Sequence, residues 1–378
     1  MPELADIAQE TRAWACYDCG KCTATCPLTR AGAKYSPRRH VLATNLGDKD
    51  TIGSTIFDCL TCKLCDARCP VGVEYTELVL RLRAFASREG AEVECPHGGA
   101  LQSAMRIMAQ GKFKQDRMSW LTNDLATVAD KGEVFYWTGC TMYYDAFFPE
   151  FEMKTLDSTV AAVKLLNKLD VTPIVSPHER CCGHDLLWNG DRKNFDLLAQ
   201  HNINLVTESG AETLVVSCEE CLRTWKKDYA PLMKKPPRIL HLTEFLAEHI
   251  DKLSFKDSAE KLAVTYQDPC RLGRHLGVYE APRQLLEKAP GIEFKEMRRS
   301  GKAAICCAGG TWSNCDRYAK KIQVERLLEA RQTQSTVMAT ACPKCQVHFK
   351  CAMNDPNLKG DIEIEMRDVA EIIADALA

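Results

Sequence analysis

The sequence predicts an α+β protein: a mostly helical, cysteine-rich front domain followed by two pseudo-symmetric α/β domains with parallel sheets. Three observations predict it. A run of four cysteines near the start occurs a second time with identical spacing; a longer cysteine pattern beyond Glu133 also occurs twice; and that second region alternates short apolar strands with amphipathic helices. With 378 residues and 46% hydrophobic content, the chain can build two or three cores without disulfide staples. Its 49 Lys+Arg against 51 Asp+Glu leave no basic excess, which excludes a phosphate-neutralising nucleic-acid surface. No stretch approaches the ~18 consecutive apolar residues of a membrane span. The opening MPELADIAQETRAW is acidic and polar where a signal peptide would be basic and then apolar. A cytoplasmic chain is expected, held at a membrane only through a partner. In that reducing compartment, 21 cysteines point to metal rather than disulfides.

The first element is the duplicated run. Cys16, Cys19, Cys22 and Cys26 precede Pro27, and Cys59, Cys62, Cys65 and Cys69 precede Pro70. Both read C-x2-C-x2-C-x3-C-P, the spacing of two-cluster ferredoxins with cubane [4Fe-4S] clusters. Three close thiolates wrap three corners of a cube, and the distant fourth reaches the neighbouring cluster. Cys16, Cys19, Cys22 and Cys69 are therefore expected around one cluster, and Cys59, Cys62, Cys65 and Cys26 around the other. A pair of zinc knuckles is the competing reading, since CxxC pairs suit tetrahedral zinc. Identical four-cysteine spacing with a proline, twice, favours iron and sulfur. Between the runs, SPRRHVLATNLG reads as a helix after a Ser-Pro start, and EYTELVLRLRAFASREGA after them has helical apolar spacing. Residues 1–96 are thus expected to form a helical ferredoxin domain, and residues 97–132, with AMRIMAQGKF and WLTNDLATVADKGE, a helical linker.

The second element is the long repeat. Its first copy, residues 133–258, carries Cys140, Cys181, Cys182, Cys218 and Cys221. Its second, residues 259–378, carries Cys270, Cys306, Cys307, Cys342 and Cys345, offset by 130, 125 and 124 residues. EVFYWTGC, VTPIVS and TLVVSC read as strands of the first half, AVTYQDPC, IEFKEM and TVMATAC as strands of the second. Helices are expected in TVAAVKLLNKL, DRKNFDLLAQHNINLVTESG and HLTEFLAEHI, and in APRQLLEKAP, CDRYAKKIQVERLLEARQ and MRDVAEIIADAL. The cysteines follow strand ends, where open α/β sheets gather their ligands.

A cysteine, then a CC pair with glycine, then C-x2-C, occurring twice behind a ferredoxin domain, resembles the heterodisulfide reductase catalytic subunit family with its CCG, or cysteine-rich, domains. The resemblance covers essentially the whole chain. Two departures keep every ligand: Cys140 and Cys181 are separated by 40 residues, slightly more than the pattern has, and Ala308 stands between the second CC pair and Gly309. Both halves keep all five cysteines. The resemblance implies two cubane clusters in the ferredoxin domain and two noncubane [4Fe-4S] clusters in the CCG domains, one per five-cysteine set. It implies an oxidoreductase that takes electrons from a partner subunit, flavin-containing or a cytochrome b, and reduces a small-molecule disulfide or oxidises two thiols. The alternative is an electron-relay subunit that exchanges electrons with quinone and binds no disulfide.

His184 and His275, just behind ligand motifs, are candidate proton carriers, because imidazole titrates in the useful range, or else hydrogen-bond donors to cluster sulfur. Arg180, Arg271 and Arg274 are candidate anchors for an anionic group on a thiol cofactor, or compensators of cluster charge. Glu219 and Glu220 inside CEEC and Lys344 inside CPKC read as loop residues. Cys95, Cys315 and Cys351 belong to no set and read as buried small hydrophobes.

Overall fold

The computed structural model describes residues 3–112, 114–122, 126–257, 261–358 and 361–378. The front part is helical, with no strand among its described residues up to 96. Ser36 caps the helix Pro37–Leu46 by accepting a hydrogen bond from the Arg39 amide, with Pro37 at the first position, where its missing N–H costs nothing. Behind the second cysteine run, the helix Tyr75–Arg88 turns Leu78, Val79, Leu82 and Phe85 into the core. Arg83 lies on that same buried face.

The linker is helical over Ala100–Ala109. Beyond it the helical expectation is not met: the described residues 114–122 and 126–132 form turns and extended chain. The Asn123–Leu125 part of that expectation, Phe113, and the expected boundary at 258/259 lie outside the described residues.

The two repeats each build a parallel sheet. Strands β1 (Val134–Trp137), β2 (Thr213–Val216) and β3 (Arg238–His241) lie in the order β1-β2-β3. Strands β4 (Leu262–Gln267), β5 (Ile292–Lys295), β6 (Val337–Thr340) and β7 (Glu365–Asp368) lie in the order β5-β4-β6-β7. In the first sheet, the position that β5 fills in the second is taken by Ile174 alone, bridged to Phe135. Pro173 beside it has no amide hydrogen to extend a ladder, so the expected VTPIVS strand shrinks to a bridge. Helices cover the sheets at Thr155–Lys168, Arg192–Ser209, Glu280–Lys288 and Arg317–Arg331, where helices were expected, the first starting four residues and the third one residue ahead of the expected segment.

Parallel strands put all carboxyl ends on one edge. β1 delivers Cys140, β2 Cys218, β4 Cys270 and β6 Cys342 to that edge of their sheets. The cores are shared between units rather than private. One face of the second sheet, through Val264, Tyr266 and Val337, packs into the same core as the first sheet. Its other side, through Met338, Ile322 and Phe349, is continuous with the ferredoxin core of Leu78, Val79 and Leu82. The second repeat therefore shares a core with each of the other two units.

Candidate metal centres

All 21 cysteines are free thiols. Cys16, Cys19, Cys22 and Cys69 line one small cavity, joined by Cys65. Cys26 faces Cys62 and Cys59, and Cys65 faces Cys59, Cys62 and Cys26. Each group thus takes three thiols from one run and its fourth from the other. Burial pushes the Cys26 thiol up to about 12, so the group carries its thiolate only when an iron centre or other cation is beside it. The first group is the more open, with Cys19 exposed and Trp14 and Tyr17 exposed next to it.

The two five-cysteine sets also assemble. In the first, Cys140 contacts Cys181, Cys181 contacts Cys182, and Cys182 Sγ lies 3.3 Å from Cys221 Sγ, with Cys218 beside it. Gly139, with φ +70°, carries the chain past this cluster of sulfurs; a Cβ there would stand 3.3 Å from Cys221 Sγ. The loop is braced by buried Glu179, which accepts from the Thr138 and Gly139 amides at 3.1 and 2.6 Å and pairs with Arg117 at 3.0 Å. In the second set, Cys306 contacts Cys270 and Cys307, and Cys345 contacts Cys307 and Cys342. The donor chemistry fits iron–sulfur clusters: five converging, mostly buried thiols exceed what one zinc ion takes.

The sets are linked to each other. The Cys62 thiol of the ferredoxin part hydrogen-bonds with Cys306 of the second set. Between the second set and the first stands Glu219, its carboxyl 2.9 Å from Cys342 Sγ and 3.9 Å from Cys218 Sγ. The four thiol groups therefore form a continuous series from the exposed Cys19 end inwards.

Around the junction lies a buried charged network. Lys344 donates to Asp185 at 2.7 Å and to Glu220 at 2.6 Å, filling the space where His184, Asp185 and Glu220 would otherwise converge on a cation. Burial works to raise the Asp185 carboxyl, but Lys344 and His184 outweigh it and hold the group well below the usual carboxylate range. His184 is 1% exposed; its Nδ1 faces Asp185 at 3.2 Å and its Nε2 accepts from Arg271 Nε at 3.0 Å. Burial, with Arg271 alongside, lowers it to about 3, so the ring is neutral. His275 Nε2 lies 2.6 Å from Arg271 Nη1 and 2.9 Å from the Thr61 carbonyl.

The three candidate arginines part ways. Arg271 donates to the Thr61 carbonyl and hydroxyl at 2.6 and 2.7 Å and lies 4.3 Å from the centroid of the Trp188 ring. Arg274 donates to the carbonyls of Cys62 and Ala304 at 2.6 and 2.7 Å. Both thereby grip the ferredoxin loop between ligands. Arg180 stands apart: its amide donates to Asn202 and its guanidinium lies against Gly111 of the linker.

The expectation that Glu219, Glu220 and Lys344 are loop residues is not met: all three are buried, in the first turns of the helices Glu219–Thr224 and Pro343–Met353. The available signal was their place inside C-x2-C pairs, since residues between two ligands of a buried centre are themselves held there. Nothing local in the sequence marks Arg83, whose guanidinium bonds the carbonyls of Ile56, Phe57, Cys59 and Trp188 and the Thr311 hydroxyl.

Comparison with known proteins gives the same division. The cysteine-rich domain family matches residues 134–226 and 264–350, and the 4Fe-4S dicluster domain family matches residues 12–73. The chain is 31% identical to a dihydromethanophenazine:CoB–CoM heterodisulfide reductase subunit of Methanosarcina barkeri, over 96% of this chain and 93% of the relative. It is 26% identical to a fumarate reductase (CoM/CoB) subunit of Methanothermobacter marburgensis, over 94% and 72%. It is also 26% identical to a probable membrane-anchored ferredoxin of Chromohalobacter salexigens, over 96% and 59%. No helix among the described residues is long and apolar enough to cross a membrane. With duplicated cysteine-rich domains behind a dicluster domain, and with 31% identity over nearly its full length, the chain belongs to the heterodisulfide reductase family of iron–sulfur oxidoreductase subunits.

Proposed function

We propose that the chain is the catalytic subunit of a heterodisulfide-reductase-like enzyme, reducing a small-molecule disulfide, or oxidising two thiols, with electrons exchanged through a partner subunit. The observation that carries this is the meeting of two complete five-cysteine sets across Glu219. Cys16, Cys19, Cys22 and Cys69 would hold one cubane, and Cys26, Cys59, Cys62 and Cys65 the other. Cys140, Cys181, Cys182, Cys218 and Cys221 would hold one noncubane [4Fe-4S] cluster, and Cys270, Cys306, Cys307, Cys342 and Cys345 its counterpart. Bound there, iron supplies one-electron storage and a Lewis acid that stabilises thiolate products.

The protein's own residues do the rest. Exposed Trp14 and Tyr17 flank the open end of the series, where a flavin-containing or cytochrome b partner would deliver electrons. Arg271 and Arg274 hold the Thr61–Cys62 backbone against the second set, fixing the distance between conducting and reacting ends. With both ring nitrogens of His184 engaged, that histidine orients Arg271 and Asp185 rather than shuttling protons. Glu219 is placed to hand a proton from its carboxyl to a nascent thiolate on either side. A groove beside the helix Tyr75–Arg88 reaches His275 and offers the substrate a way in.

The test is anaerobic EPR of the reconstituted holoprotein, reduced and then given the CoB–CoM heterodisulfide or another low-molecular-weight disulfide. A new paramagnetic signal with disulfide-dependent reoxidation supports the reading, and iron assay should return about sixteen iron per chain for four [4Fe-4S] clusters. A full complement of iron with no spectral response to any disulfide assigns the chain to electron relay instead.

A further inference from the structure

Two of the three cysteines outside the ligand sets meet on the surface of the second repeat. Cys315 is exposed and immediately precedes Asp316, the N-cap of the helix Arg317–Arg331. Cys351 is half-buried near the end of the helix Pro343–Met353, which packs against that helix. Their thiols interact directly, and Lys320 Nζ stands 3.0 Å from Cys351 Sγ. Neither cysteine is within two residues of a proposed ligand. The expectation that Cys315 is a buried small hydrophobe is thus overturned by its exposure, and its neighbour carries an ammonium at contact distance.

We propose that Cys315 and Cys351 form a redox-active dithiol that reacts with low-molecular-weight disulfides by thiol–disulfide exchange, separately from the iron–sulfur centres. The Cys351 thiolate, facing Lys320, attacks one sulfur of a disulfide RSSR. The S–S bond breaks, a mixed disulfide forms on Cys351, and RS⁻ leaves to take up the proton that Cys351 gave up. Cys315 then attacks the Cys351 sulfur, releasing the second RS⁻ with its proton and closing a Cys315–Cys351 disulfide. Two protein thiols are oxidised, one RSSR is reduced to two RSH, and no other oxidant is needed. The asymmetry of the pair assigns the roles. The Cys315 contact and Lys320 together draw the Cys351 thiol down to about 6, whereas Cys351 and burial push the Cys315 thiol up. Attacker and resolver are therefore distinguished by their surroundings. Cys95, half-buried and lacking such a cation at contact distance among its described partners, is the internal control.

The experiment treats anaerobic holoprotein with glutathione disulfide at pH 7, alkylates the remaining thiols, and maps peptides by mass spectrometry. In the unaltered chain the expected product is a peptide pair joined through Cys315 and Cys351, with iron content unchanged. Cys315→Ser should stop at one glutathione on Cys351, Cys351→Ser should give no intramolecular disulfide and at most one glutathione on Cys315, and Lys320→Met should slow the first step about tenfold at this pH. Iron content and visible spectrum report whether each variant has folded. Labelling of Cys351 in the unaltered chain no faster than that of Cys95, or a mixed disulfide on Cys351 that never resolves onto Cys315, overturns the proposal. Both results are independent of whether the iron–sulfur centres reduce a disulfide.

Discussion

Lys344 shows what a single residue decides here. The residue is 2% exposed and its ammonium holds two buried carboxylates, Asp185 of the first repeat and Glu220 inside the C-x2-C pair of the same repeat. Burial works to lower this amine, but Asp185 and Glu220 outweigh it and hold it well above the usual lysine range, so its charge persists at neutral pH. Removing one partner from a buried ion network leaves an uncompensated charge, at about 3–5 kcal/mol. Lys344→Met is therefore expected to lower the thermal midpoint of the holoprotein sharply, while the triple change Lys344→Met, Asp185→Asn, Glu220→Gln recovers much of it. Differential scanning calorimetry under anaerobic conditions checks both. A triple variant as unstable as the single one would mean that Lys344 acts through packing on Trp312, 5.0 Å from its ring centroid, and not through charge. This network was not legible in the sequence because its members lie 159 positions apart, and no local pattern pairs a lysine with an aspartate across two repeats. The cysteines were legible for the opposite reason: cluster ligation demands fixed short spacings, and those spacings are written in the chain.

At the scale of elements, the long helices were plain from their apolar periodicity, and β1, β2, β4, β5 and β6 from short apolar runs. The strand β7 was absorbed into the helix that follows it, and β3 was left out of every expected strand, overlapping the expected helix HLTEFLAEHI only at His241. Each has four residues and passes directly into Leu242–Glu248 or Val369–Asp375, so no turn residue separates strand from helix. What the helix Tyr75–Arg88 does beyond filling the ferredoxin core was likewise hidden. Through Arg83 it donates to three carbonyls of the loop ahead of Cys62, and to Trp188 and Thr311, one from each repeat. A guanidinium with five hydrogen bonds in a dry site is a clamp that lysine cannot reproduce. Arg83→Lys is expected to retain the ferredoxin iron but slow electron transfer from it to the second cysteine set. Stopped-flow reduction from the ferredoxin end, followed at freeze-quench by EPR, measures that step. Unchanged kinetics in a variant with full iron would show that the clamp does not set the alignment of the two sets.

Across the whole molecule, the three units share cores and the four thiol groups run in series through them, so the order of the groups is a property of the assembled chain. That order depends on the crossing of the two ferredoxin runs. Cys69 sits with Cys16, Cys19 and Cys22 in the open group, whereas Cys26 joins Cys59, Cys62 and Cys65 in the buried group next to Cys306. If this crossing holds in the loaded protein, Cys69→Ser must damage the same cluster as Cys22→Ser, although 47 positions separate the two residues. Cys26→Ser must damage the other cluster, although it is only four positions from Cys22. EPR of the reduced variants gives the readout: Cys69→Ser and Cys22→Ser should leave one residual ferredoxin signal in common, and Cys26→Ser and Cys65→Ser the other. The functional consequence differs too. Loss of the open group should block electron entry from a partner while the buried group stays reducible by small viologens, and loss of the buried group should cut the second cysteine set off from both. If Cys26→Ser shares its residual signal with Cys22→Ser, the runs are not crossed, and the series from the surface to Cys306 has to be redrawn.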